Sequence, residues 1–137
     1  MSLQYSTTVR NAQLDALETA VGVSAVLKIY DLTAGAPANC AAAITGTVLA
    51  TMSLPSDWMA AAASGSKAMS GTWQDASADN AGVADFFRLF ASDGTTCHAQ
   101  GTCTATGGGG DLQLDNTNIA AGQSVTVTSF TISAGNS

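Results

Sequence analysis

The chain has 137 residues, of which 10% are charged, with four Lys+Arg against ten Asp+Glu and a formal net charge of −6. One domain accommodates that length, and it is long enough to bury a proper core. Four cations build no basic stripe, so nucleic-acid binding through phosphates is excluded and an anionic membrane surface is disfavoured.

The opening Met1-Ser2-Leu3-Gln4-Tyr5 lacks the basic and apolar regions of a signal peptide, so synthesis in a cytoplasm without export by this sequence is expected. No apolar run approaches eighteen residues, and no membrane-spanning helix is expected. From Thr8 to Val21 the residues Val9, Ala12, Ala16, Leu17, Ala20 and Val21 recur at helical spacing and make one apolar face. Arg10, Asp15 and Glu18 lie off it. Ser6, Thr7 or Thr8 can cap the start and Gly22 ends the helix.

The period then changes to two. Val26 to Leu32 reads as a strand with Leu27 and Ile29 on one face and Lys28 and Tyr30 on the other. Thr47 to Leu54 is a second strand with Val48, Ala50, Met52 and Leu54 inward, ended by Pro55. Ser56 to Ala61 reads as a helical turn, and Lys67 to Gln74 as a strand carrying Met69, Gly71 and Trp73 on one face. After a polar loop, Ala84 to Ala91 is apolar almost throughout and buried on both faces. Asp93-Gly94 turns a hairpin. Thr96 to Thr106 alternates, with Cys97, Ala99, Gly101, Cys103 and Ala105 on one face. Gly107 to Gly110 reads as a hairpin turn or a close backbone approach, before a short strand led by Leu112 and Leu114. Gln123 to Ser133 changes parity between Val127 and Phe130, which predicts a β-bulge near Thr128 or Ser129. These seven or eight short strands predict a mainly β fold, an antiparallel β-sandwich or jelly-roll-like barrel with one N-terminal helix. Residues 1–22 form an arm and helix, and residues 23–137 a single β domain.

Little in this chain points to chemistry. His98 adjoins Cys97, but neighbouring strand residues face opposite ways and cannot cooperate as nucleophile and base. Cys97 and Cys103 are too far apart along a strand to chelate one ion. Gly107 to Gly110 lacks the Lys-Ser/Thr of a phosphate loop. The acids Asp75, Asp79, Asp85, Asp111 and Asp115 match no calcium loop and read as solvated. No catalytic, cofactor or metal residues are expected, and the chain is not expected to be an enzyme. The three cysteines leave three thiols or a bridge from Cys40 to either of the others. Cys40 lies in the loop after the first strand and Cys97 begins a strand after a tight turn, so Cys40 with Cys97 is the expected pair. Trp73 reads as core, and Trp58 as core or interface plug.

Taken together, Tyr5 to Gly22, Leu54-Pro-Ser-Asp-Trp-Met59, Gly71-Thr-Trp-Gln-Asp75, Gly94-Thr-Thr-Cys-His98 and Thr104-Ala-Thr-Gly-Gly-Gly-Gly-Asp111 make the whole chain resemble a family of small virion-associated structural proteins of tailed bacteriophages and prophages. The resemblance implies a virion component made in the host bacterial cytoplasm. A capsid decoration, or cement, protein is expected, a homo-oligomer bound to the major capsid protein. A tail-side module such as a fibre, adaptor or host-binding domain is the alternative. The weakly charged, Ala/Thr/Ser/Gly-rich surface suits permanent assembly, because few charges must be desolvated. Leu3, Tyr5, Val9, Arg10 and Trp58 are the candidate partner-binding residues. The arm of residues 1–8 and the narrow helix face need cover from a partner, or else the helix closes one end of its own domain.

Overall fold

A computed structural model describes residues 1–31 and 33–135. The first element is helix α1 (Thr7–Val21), entered through Ser6, whose hydroxyl accepts from the Val9 N–H, and left through Gly22 at φ +92°. Nine strands follow: β1 (Val26–Asp31), β2 (Val48–Ser53), β3 (Ser66–Ala68), β4 (Gln74–Asp75), β5 (Gly82–Phe90), β6 (Cys97–Ala105), β7 (Leu112–Leu114), β8 (Asn118–Ile119) and β9 (Val125–Ser133). The expected strand from residue 26 holds as far as Asp31; Leu32 lies outside the described residues.

The strands form one curled sheet in the order β2-β1-β5-β6-β7-β9-β3, with β4 on β9 and β8 on β5. The curl brings β2 close to the chain around β4. Asp75 Oδ2 accepts the Thr51 N–H at 2.9 Å, Asp79 Oδ2 accepts the Thr51 hydroxyl at 2.9 Å, and Asn80 Nδ2 donates to Val48 O at 2.8 Å. Acids that read as solvated from sequence therefore satisfy strand-edge donors, which would otherwise stand as an open template. Asp111 does the same for Thr102 N and Asp115 for Thr126 N.

The inner face holds the core: Leu27 and Ile29, Ala50 and Met52, Phe87 and Leu89, Cys103, Leu112 and Leu114, Val125, Val127 and Phe130. Trp58, Trp73, Phe130 and Phe87 run through it in successive ring contacts with centroids 5.9, 5.4 and 5.7 Å apart. In β9 the ladder passes from Leu114↔Val127 to Gln113↔Ser129, so Thr128 is the extra residue of the expected bulge. It turns Val125, Val127 and Phe130 all inward, with Ile132 half-buried. A second shift, between Ile29 and Tyr30, leaves Leu49 opposite no β1 residue and lets both Leu49 and Ala50 bury.

Three local expectations are corrected. The segment after Pro55 is not a helical turn; Ala60 N and Ala63 N donate to Ala68 O and Ser66 O across a tight turn at Ser64-Gly65, with φ +52° and +74°. Positive φ at both central residues is the geometry of a type I′ hairpin, which fits the sheet twist. The strand expected from Lys67 to Gln74 is split into β3 and β4 because Gly71 takes φ +73°. The tetraglycine run turns no hairpin. It returns the chain within residues 106–111 so that β7 lies parallel to β6, Cys103 opposite Leu112. Gly107 and Gly109 supply φ +85° and +81°, while a Cβ on Gly108 or Gly110 would fall 2.8 Å from Thr104.

Helix α1 packs on the hairpin that ends in β3. Lys67, 2% exposed, sends its ammonium between Asp15 (2.6 Å) and Glu18 (2.8 Å). The same carboxylates accept the Ala62 and Met59 N–H groups, and Asn11 accepts that of Gly65. Burial alone would lower the Lys67 pKa, but the two carboxylates outweigh it and raise it; Lys67 and the Ala62 N–H hold Asp15 below the ordinary 3.8. The depressed Asp15 pKa contributes stability that is complete above about pH 4 and is lost as pH falls through the lowered value. The raised Lys67 pKa contributes stability that is complete below 10.5 and is lost as pH rises through the raised value. Lys67→Ala is expected to cost about 2 kcal/mol in urea unfolding, because two carboxylates then face each other without a cation. It should also flatten the acid limb of the stability profile; an unchanged acid limb would place the helix anchor elsewhere.

Candidate functional site

The inward side of α1 mixes apolar and polar residues, and most of its small apolar residues face out. Leu14 and Val21 are the buried residues of the helix, flanked by Arg10, Asn11 and Glu18. Val9 is 42% exposed, and Ala12, Ala16, Leu17 and Ala20 are exposed with it. The apolar face expected from the heptad-like spacing is therefore real, apart from Val21, but it does not close the domain.

Among the expected binding residues, Leu3, Tyr5 and Val9 are exposed. Arg10 is turned inward: its Nε donates to Ala134 O at 2.5 Å, and its guanidinium lies where Gly65 has no Cβ. Trp58 is no plug for a partner. It is fully buried in the core, and its indole N–H donates to Gly22 O at 2.9 Å, tying the helix end to the segment after Pro55. Val23 was missed; at 70% exposure it extends the apolar surface past the helix. Periodicity could not find it, because it lies beyond the helix stop.

Beneath the end of α1 an open groove of about 430 Å³ is lined by Glu18, Thr19, Gly22, Val23, Ser56 and Asp57. A second cleft, of about 400 Å³, lies on the outer face of the sheet and is lined by Ala36, Asp85, Phe86, Gln100, Gly101 and Thr102. Its polar groups are partly committed. Gln100 donates to Pro37 O at 2.6 Å and accepts from Arg88 Nε at 3.1 Å.

That outer face is covered by the loop between β1 and β2. Tyr30 stacks on Phe86 with centroids 4.9 Å apart, and Lys28 sits 5.2 Å over the Phe90 ring. The buried Arg88 donates to Asn39 O at 2.9 Å and Ala42 O at 2.8 Å, which fixes the loop on either side of Cys40. Cys40 is joined to Cys97 by a disulfide, with Cα atoms 5.4 Å apart. The ladder explains how Cys97 reaches it. A register shift sets Cys97 opposite Phe90 and takes it off the Ala99 and Cys103 face that alternation predicts. Cys103 stays a free thiol in the core, its pKa pushed up by burial and by the charges of Asp85 and Asp111.

His98 is exposed on β6, and no group of three or more His, Cys, Asp or Glu side chains placed to hold a metal occurs among the described residues. No described helix is long and apolar enough to cross a membrane. No protein-family model, curated protein or solved structure matches the chain.

The cysteines make a direct prediction. Iodoacetamide should leave native Cys103 unmodified and label one thiol only after unfolding. Cys40→Ser should lower stability by about 2–4 kcal/mol, since the bridge spans a separation of 57 residues in the unfolded chain. Labelling of native protein at Cys103 would contradict its burial.

Proposed function

We propose that the chain is a structural subunit of a tailed-bacteriophage particle, a decoration protein seated on the head surface by the outer side of α1 and the arm before it. The observation that carries this reading is the exposed apolar stripe of α1. A domain that takes Leu14, Val21 and the Asp15–Glu18–Lys67 cluster from α1 leaves Val9, Ala12, Ala16, Leu17 and Ala20 in water, and covering them against the major capsid protein is favourable. The low charge of the remaining surface supports the same reading, as does a loop layer locked by Arg88 and by the Cys40–Cys97 bridge. Such a domain meets its partner as a rigid body with little ordering cost. A homo-oligomer on a symmetric lattice, made in the host cytoplasm and carried on the virion, is the corresponding assembly. It calls for no catalytic step, cofactor, nucleic acid or membrane.

The alternative is a tail-side fibre or adaptor module. The outer cleft favours it, because the carboxylate of Asp85 and the hydroxyl of Thr102 are groups that bind sugar hydroxyls, although the Gln100 amide beside them is taken by Pro37 and Arg88. Phe86, only 2% exposed, offers no open ring for a sugar to stack on, which weighs against it. Copy number separates the two readings: comparable to that of the major capsid protein for decoration, a small fraction of it for a tail part.

Ala16→Glu places a carboxylate in the middle of the outward stripe. The variant should keep the wild-type melting temperature, as exposed substitutions do. Its binding to particles lacking the protein should fall by about tenfold or more, since an unpaired charge would be buried on docking. Full binding by a folded Ala16→Glu chain would remove α1 from the attachment surface.

A further inference from the structure

All four basic side chains of this protein are bound within its own fold. Arg10 donates to Ala134 O, Lys28 to Gly94 O, Lys67 to Asp15 and Glu18, and Arg88 to the carbonyls of Asn39 and Ala42. The fully exposed Lys, Arg, Asp and Glu side chains are therefore all acidic. Two acids meet at the groove beneath the end of α1. Lys67 offers one ammonium to two carboxylates, so the cluster around Glu18 keeps one net negative charge. Asp57, exposed and lining the same groove, makes no ion pair or hydrogen bond among the described residues. The last turn of α1 carries no basic residue, so no side-chain cation of this chain offsets the negative end of its dipole. Val23, exposed and apolar, lines the groove with them.

We infer that this groove receives an arginine side chain of a partner protein, its methylene stem against Val23 and its guanidinium between Asp57 and Glu18. Arginine fits better than lysine because its weakly hydrated planar fork engages carboxylates in pairs while its stem covers apolar surface. The groove adjoins the outward side of α1 at Thr19. The inference rests on the attachment reading and names the partner's chemistry at that surface.

The test is an amide NMR titration of the full chain with N-acetyl-arginine amide, with N-acetyl-citrulline amide as the neutral isostere. Saturable shifts confined to residues 18–23 and 56–58 are expected with the arginine probe and not with citrulline. Asp57→Asn should weaken the arginine probe by about threefold, the size of one exposed ion pair, and Val23→Ser should weaken it independently of charge. Equal response to citrulline, shifts spread over every acid of the chain, or an unchanged affinity in both variants would overturn the inference. Binding of Asp57→Asn and Ala16→Glu to particles separates the two proposals. Loss with Ala16→Glu alone removes the groove and leaves the attachment face. Probe binding in the groove by a chain whose Ala16→Glu variant still decorates particles removes the attachment face and leaves the arginine site.

Discussion

A lysine that is 2% exposed must find carboxylates or unfold its surroundings, and Lys67 determines which side of α1 the domain sees. Its strand, β3, is held against β9, so the ammonium cannot move to water without breaking that ladder. Asp15 and Glu18, three apart on the helix, are the pair that reaches it. Turning α1 over would bury Val9, Leu17 and three alanines but expose Leu14 and Val21, each larger side chain worth about 1.5–3 kcal/mol, so the apolar terms largely offset. It would also strand a buried ammonium, at about 3–5 kcal/mol, and leave the N–H groups of Met59, Ala62 and Gly65 without their side-chain acceptors, at about 1–3 kcal/mol for each one left buried. The polar arrangement wins on those magnitudes. The outward apolar stripe is its by-product, and the attachment reading follows from this one ion cluster.

The opposite side of the sheet solves a different problem with similar means. Tyr30, Phe86 and Phe90 make that face apolar, so it needs a cover, and the loop before β2 has too few large apolar residues to provide one by packing. Arg88 instead binds the loop's carbonyls, and Gln100 repeats the device at Pro37. The covalent bridge from Cys40 then holds a loop whose carbonyls are already placed. Burial without a hydrogen-bond partner raises the Tyr30 pKa, with Arg88 opposing the rise, so this layer is ordered at some polar cost.

Elements whose signal is local were legible in the sequence. The helix has its cap, its stop and its period; the strand at Phe86 to Phe90 is apolar on both faces; Asp93-Gly94 turns the chain; and the parity change between Val127 and Phe130 marks a bulge that the ladder places at Thr128. Elements whose state depends on distant residues were not. The stretch after Pro55 looks helical because its alanines favour helix, yet its backbone donors are taken by the hairpin and by Asp15 and Glu18. The strand break at Gly71 and the parallel return through the tetraglycine run depend on backbone angles that composition permits but does not specify. For the site, the residues of the outward face were legible as an apolar period, whereas its orientation was not. Periodicity identifies a stripe but carries no sign, and the sign comes from Lys67, some fifty residues away. Arg10 was misread for the same reason, and for Trp58 the core reading held while the plug reading fell: their partners, Ala134 O and Gly22 O, are set by tertiary closure.

An attachment surface of the kind proposed would divide its work between two ranges. With every basic side chain bound internally and a net charge of −6, the molecule attracts a basic partner over about a Debye length, roughly 8–10 Å at ordinary ionic strength. That term raises the rate of encounter and fades with salt. The alanine-rich stripe acts only on contact, and its small side chains let another backbone approach closely. What it would contribute is dehydration of apolar area, which salt does not screen and which would lengthen the bound lifetime. The groove at Asp57 lies where the two ranges meet, since an arginine there would bring charge to the rim and its stem to the edge of the apolar stripe. Encounter should then weaken as salt rises while the assembled complex persists, so particles assembled at low ionic strength should keep the protein when salt is raised afterwards.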